Sequence, residues 1–75
     1  MNTRWFVVIH SNGSWWVDCE GRANGPFGDR DEARQNAVRL ALTHADPARQ
    51  SLVYVPDDEG RPRLFWAETK PPVEP

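Results

Sequence analysis

Short, mainly apolar runs bounded by polar residues stand at both ends of the chain, and apolar residues recur at helical spacing in the middle. The first run, Arg4 to His10, and the second, Trp15 to Glu20, are rich in aromatic and β-branched residues and flank Asn12-Gly13. Asn-Gly suits the positive φ angles of a type I′ turn, so the pattern predicts a hairpin with a two-residue loop. A break with repeated Gly and Pro follows, Gly21 to Gly28, with room for a short strand around Ala23 to Phe27. Asp29 then opens a helix from about Arg30 to His44, with Glu32 placed for a capping-box-like pair, and Asp46-Pro47 bars its continuation. Ser51 to Val55 reads as a strand, Pro56 to Pro62 as a hairpin loop and Arg63 to Ala67 as the last strand.

The turn assignment fixes which side chains share a face. Ser11 faces Ser14, and the pairing then runs backward through His10 with Trp15, Ile9 with Trp16, Val8 with Val17, Val7 with Asp18, Phe6 with Cys19 and Trp5 with Glu20. Phe6, Val8, Trp15 and Val17 fall on one face, suited to a helix. Trp5, Val7, Ile9 and Trp16 fall on the other. A slip of one residue would exchange the two sets. In the helix, Ala33, Ala37, Leu40 and Ala41 make the apolar stripe, flanked by Val38 and Ala45, while Leu42 lies nearer the polar side. A stripe made mostly of alanine lets a helix lie close to a sheet, whose aromatics must fill the space.

These elements give an α+β domain over residues 1–67, in the order β-β-(β)-α-β-β, with a small antiparallel sheet and one helix packed on it. Residues 68–75, with three prolines, read as a disordered tail. At 75 residues a single core is marginal, so the four tryptophans carry weight. A net charge of −2 argues against a dedicated nucleic-acid binder. The single cysteine excludes an intramolecular disulfide. With no signal-peptide pattern at the start and Trp5 to Ile9 far too short to span a membrane, it suggests a soluble cytoplasmic protein.

Several features arrive in a set order: an apolar strand leading to Asn-Gly-Ser-Trp-Trp-Val, a charged segment with Gly, and Phe27 before a helix that opens Asp-Glu-Ala-Arg. Ser-Leu-Val-Tyr-Val, an acidic Gly-containing turn and a closing strand complete it. From Arg4 to Ala67 this resembles the small bacterial family DUF2188, whose pattern has a strand, an Asp/Asn-Gly turn, a Trp-x-Val strand, an alanine-rich helix and a final hairpin. Trp15 and Val17 take the Trp-x-Val positions, and Ala33 and Ala37 the helix alanines. Prolines on both sides of the closing turn and Asp29 in place of the more usual Thr depart from the pattern. The family is one of unknown function, so the resemblance implies a fold and no catalytic residues.

Candidate chemistry is sparse. His10 and Cys19 share a face but stand four strand residues apart, roughly 13 Å and too far for one ion. His44 reads as a favourable charge at the helix C-terminus. Cys19 opposite Phe6 reads as a small buried apolar residue. Asp57-Asp58-Glu59-Gly60 lacks calcium-loop spacing, the glycines at 21, 25 and 28 make no phosphate loop, and Asp29 would repel an anion at the helix start. No catalytic, metal or cofactor site is expected, and the protein is expected not to be an enzyme.

The second hairpin face is the best functional pointer. Trp5, Val7, Ile9 and Trp16, with Arg63 nearby, form a candidate interaction face. It is either exposed, as interaction sites are, or covered by the C-terminal hairpin through Leu64, Phe65 or Trp66. The expected function is a non-enzymatic protein-interaction module or a homodimer, with pairing of edge strands a further route to self-association. The alternative is a single-stranded nucleic-acid binder in which Trp5 and Trp16 stack bases and Arg4, Arg61 and Arg63 meet phosphates, although Asp18 and Glu20 oppose this. A small inhibitor is a third reading to which nothing specific points.

Overall fold

A computed structural model describes residues 2–68. Its elements are β1 (Asn2–Ser11), β2 (Ser14–Cys19), β3 (Arg22–Phe27), α1 (Arg30–Thr43), β4 (Arg49–Pro56) and β5 (Pro62–Ala67). They make an α+β fold with one five-stranded sheet in the order β3-β2-β1-β4-β5. No helix among the described residues is long and apolar enough to cross a membrane. The tail expectation falls on residues 69–75, outside the described residues. Glu68 is part of the domain: its N–H donates to the Ser51 carbonyl at 2.9 Å, and its Oε1 accepts from Ser51 N–H at 3.1 Å.

The first hairpin pairs as its turn chemistry dictates, from Ser11 with Ser14 back to Phe6 with Cys19. Asn12 and Gly13 have φ of 54° and 79°, the positive values a type I′ turn requires. The strand ends sooner than expected, however. Glu20 and Gly21, at φ of 53° and 87°, form a second two-residue turn, and Cys19 pairs with Arg22 in β3. Glu20 is therefore a turn residue, and Trp5 has Leu52 of β4 as its register partner.

The sheet is mixed rather than wholly antiparallel, because β1 and β4 run parallel. The reason lies in the connections. Two tight turns bring β3 into the direction of β1. The helix then carries the chain back along the sheet, so β4 starts at the same end as β1. β4 fills the place beside β1 that the first hairpin leaves open, and β1 becomes the central strand.

The helix starts as its sequence indicates. Asp29 Oδ1 accepts from the Glu32 N–H at 2.8 Å, and Glu32 Oε2 accepts from the Gly28 N–H at 3.1 Å. It ends at Thr43, with His44 N–H donating to the Leu40 carbonyl at 3.0 Å. Ala33, Ala37 and Ala41 are fully buried against Phe6, Val8, Val17 and Val53. Trp15, Phe27, Val38, Leu40, Val55 and Trp66 close the margins of this core. Leu42 is 58% exposed, as its place on the helix wheel implies.

The alanine seam sets the helix-to-sheet distance. Ala37→Leu inserts three carbons where there is no space and is expected to cost about 1–3 kcal/mol. Leu42→Gln, on the exposed side, should stay within about 0.5 kcal/mol. Urea unfolding followed by tryptophan fluorescence checks both; equal effects would contradict this packing.

Candidate functional site: the open face of the sheet

The helix covers one face of the sheet. Strand register assigns the residues of the other. On β1 these are Trp5, Val7 and Ile9, and on β2 Trp16 and Asp18. Leu52 and Tyr54 join from β4, as partners of Trp5 and Val7. Leu64 and Ala67 of β5 pair with Tyr54 and Leu52, and Ala23 of β3 pairs with Asp18. One row across the sheet thus reads Ala23, Asp18, Val7, Tyr54, Leu64. Trp5 is 58% exposed, Leu64 54% and Ile9 38%, so the apolar face is open to solvent.

Trp16 is held in place on this face. Its indole Nε1–H donates to the Ser11 carbonyl at 3.2 Å. Its ring lies over Gly25, where an added Cβ would come within 3.1 Å of Trp16 Cε3 and 3.0 Å of the Trp15 carbonyl oxygen. Gly25 occupies the bulge in which β3 shifts register against β2. A glycine at φ of 141° both permits that backbone and makes room for the indole.

Four of the residues expected on the interaction face, Trp5, Val7, Ile9 and Trp16, are brought together there. Arg63 is not. It pairs with Val55, whose side chain packs on the core, and so points to the helix side. Its Nε donates to Asp57 Oδ2 at 2.9 Å. Arg4 also lies on the helix side, with Nη1 donating to the His44 carbonyl at 2.7 Å, so Arg4 supplies the cation at the helix C-terminus. Among the described residues the register places no arginine or lysine on the open face, and Asp18 is its one formal charge.

The C-terminal hairpin does not fold across the face; it extends the sheet through β5. A bulge between Val53 and Tyr54 leaves Phe65 as the extra residue. Trp66 turns to the core and Leu64 to the open face. Phe65 lies under the Arg34 guanidinium, 4.8 Å from its ring centre. Leu52, Tyr54 and Leu64 were missed as site residues because strand order was open. The alternation of Leu52 and Tyr54 with the buried Val53 was the available signal.

The helix side carries the ionic chemistry. His10 stacks on Trp15, ring centres 4.5 Å apart, beside a depression of about 750 Å³ lined also by Asp29, Arg30, Pro56 and Asp58. Arg30 donates to the Pro56 carbonyl at 3.0 Å and pairs with Asp58 at 3.3 Å. At the other end, Arg4, Cys19, Arg22 and His44 line a depression of about 380 Å³, and Glu20 there pairs with Arg49. Burial pushes the Cys19 thiol up, reinforced by Glu20 and only partly offset by Arg4. No group of three or more His, Cys, Asp or Glu residues among those described could hold a metal ion.

Compared with known proteins, the chain matches no family model, no curated protein and no solved structure. Fold and surface together define a class: a small α+β domain with one face of its sheet sealed by a helix and the other left as an apolar, aromatic surface.

Asp57 organises the β4–β5 loop. Its Oδ1 accepts from the Glu59 and Arg61 N–H groups, each at 2.9 Å, and its Oδ2 from Arg63. The Arg61 N–H and then Arg63 hold its carboxyl below the ordinary value of 3.8. A carboxyl lowered on folding contributes stability above its unfolded pKa and loses it as pH falls through the folded value. Asp57→Asn should therefore lower the urea midpoint at pH 6 and flatten its decline below about pH 4. An unchanged acid limb would show that Asp57 titrates alike folded and unfolded.

Proposed function

We propose that the protein is a non-enzymatic interaction module that binds protein through the open face built from Trp5, Val7, Ile9, Trp16, Leu52, Tyr54 and Leu64. The observation that carries this reading is the exposure of large apolar side chains, Trp5 and Leu64 above all, in one continuous surface of a small domain. Exposed patches of this kind mark sites where a partner completes the burial. The seating of Trp16 adds pre-organisation, since a fixed aromatic loses little freedom on binding. Membership of the DUF2188 family and a cytoplasmic home are part of the same proposal. The family resemblance rests on sequence alone, on Trp15-x-Val17 and on Ala33 and Ala37.

The chemistry of the face favours protein over single-stranded nucleic acid. Stacking aromatics are present, but the cations that would meet phosphates are on the other side of the sheet or at its ends. A nucleic-acid strand laid on this face would meet Asp18 instead.

Trp5→Thr keeps a β-former in the central strand and removes the largest exposed ring. Wild-type and Trp5→Thr proteins of equal urea midpoint are to be compared as baits, and a partner retained by the first and lost by the second is the expected result. Oligonucleotide titration at low salt should leave tryptophan fluorescence unchanged. Salt-sensitive quenching abolished by Trp5→Thr would replace protein with nucleic acid as the partner.

A further inference from the structure

We infer that the partner of the open face is a second copy of this chain, stacked sheet on sheet about a two-fold axis that runs along β1. This rests on the open face being a protein-docking surface and goes further by naming its occupant and register.

The face is self-complementary about one axis and not about another. Sheets stack face to face about 10 Å apart with their strands nearly aligned. A two-fold axis along the central strand exchanges its two flanks, so β2 of one copy lies over β4 of the other and β3 lies over β5. In the Val7 row, Asp18 then meets Tyr54 of the second copy, and Leu64 meets Ala23. The carboxylate gains a hydroxyl donor, and an exposed leucine falls on an exposed alanine. Neither Asp18 nor Tyr54 makes a side-chain hydrogen bond or ion pair among the described residues, so both are available. On the axis itself Trp5, Val7 and Ile9 meet their own copies. An axis across the strands through the Val7 row would instead stack Asp18 on Asp18, leaving two like charges buried together, which is strongly unfavourable.

The size of the face sets the strength. Five strands of six or so residues span about 24 by 20 Å, or about 480 Å² in projection. A standard interface buries about 800 Å² per partner. The dimer is therefore a concentration-dependent one rather than an obligate one.

The test is light scattering on the full chain over a range of concentrations, with Leu64→Glu, Ala23→Arg and their equimolar mixture. All these positions are exposed, and circular dichroism confirms the fold of each variant. The wild type is expected to move from monomer mass toward twice that mass. Each variant alone should weaken the dimer by about tenfold or more. The mixture should associate better than either, because only the mixed dimer sets the introduced carboxylate of one copy against the introduced guanidinium of the other. A monomer at every concentration up to about 1 mM would overturn this inference and leave the open face as a site for another protein. A dimer indifferent to both variants and to Trp5→Thr would overturn this inference and the open-face reading together. Sensitivity to Leu64→Glu alone, with no gain on mixing, would indicate pairing of β5 edges and overturn the stacked arrangement.

Discussion

Asn12 and Gly13 sit at positive φ, and the two-residue turn they make decides the parity of the whole sheet. Once Ser11 faces Ser14, Phe6, Val8 and Val17 must share a face, and Trp5, Val7, Ile9 and Trp16 must share the other. Everything further out inherits this parity. β4 docks beside β1 in the same register, so Val53 joins the core while Leu52 and Tyr54 join Trp5 and Val7. β5 then inherits from β4, subject to its bulge. A loop longer or shorter by one residue would turn the β2 side chains to the opposite faces relative to β1.

The second constraint is the alanine seam. Ala33, Ala37 and Ala41 let the helix approach closely, and the approach buries Phe6, Val8, Val17 and Val53 completely. Small side chains on the helix shift the task of filling volume to the sheet, and the sheet supplies it from one face alone. The helix also draws the charged groups to its own side. Arg4 caps its C-terminal end, Arg30 ties its start to the β4–β5 loop, and Arg34 reaches over Phe65. The result is a domain polarised by chemistry, with the cations of its described strands kept off the apolar surface opposite the helix.

What could be read in the sequence was what depends on neighbours along the chain. The first hairpin, the helix with its Asp29 cap and the exposed Leu42 all follow from residues within a few positions of each other. The turn at Glu20-Gly21 was hidden because glutamate gives no signal for positive φ, although the glycine beside it did. The parallel pairing of β1 with β4 was hidden for a different reason: it joins segments more than forty residues apart, and only the return path of the helix determines it. Arg63 was misplaced on the face because the parity of β5 is set by its pairing with β4, Val55 opposite Arg63, and so follows from where β4 docks. Leu52 and Tyr54 escaped notice by the same route, and Leu64 stands in the face as a member of the sheet rather than as a cover folded across it.

The central strand carries one more physical statement. Trp5 to Ile9 is an unbroken apolar run, and β1 has strands hydrogen-bonded on both sides. Such a run is what a strand covered on both faces carries, whereas a strand with one wet face alternates apolar with polar. β2 does alternate in this way toward its end, with Asp18 set between Val17 and Cys19, but β1 does not. The chain covers β1 with its helix on one face and places nothing described over the other. Polar residues at positions 5, 7 and 9 would have cost the fold little, since those side chains lie outside the helix-side core. That tryptophan, valine and isoleucine stand there instead is accounted for if the second face is also a buried one, completed by a surface that the described residues do not supply.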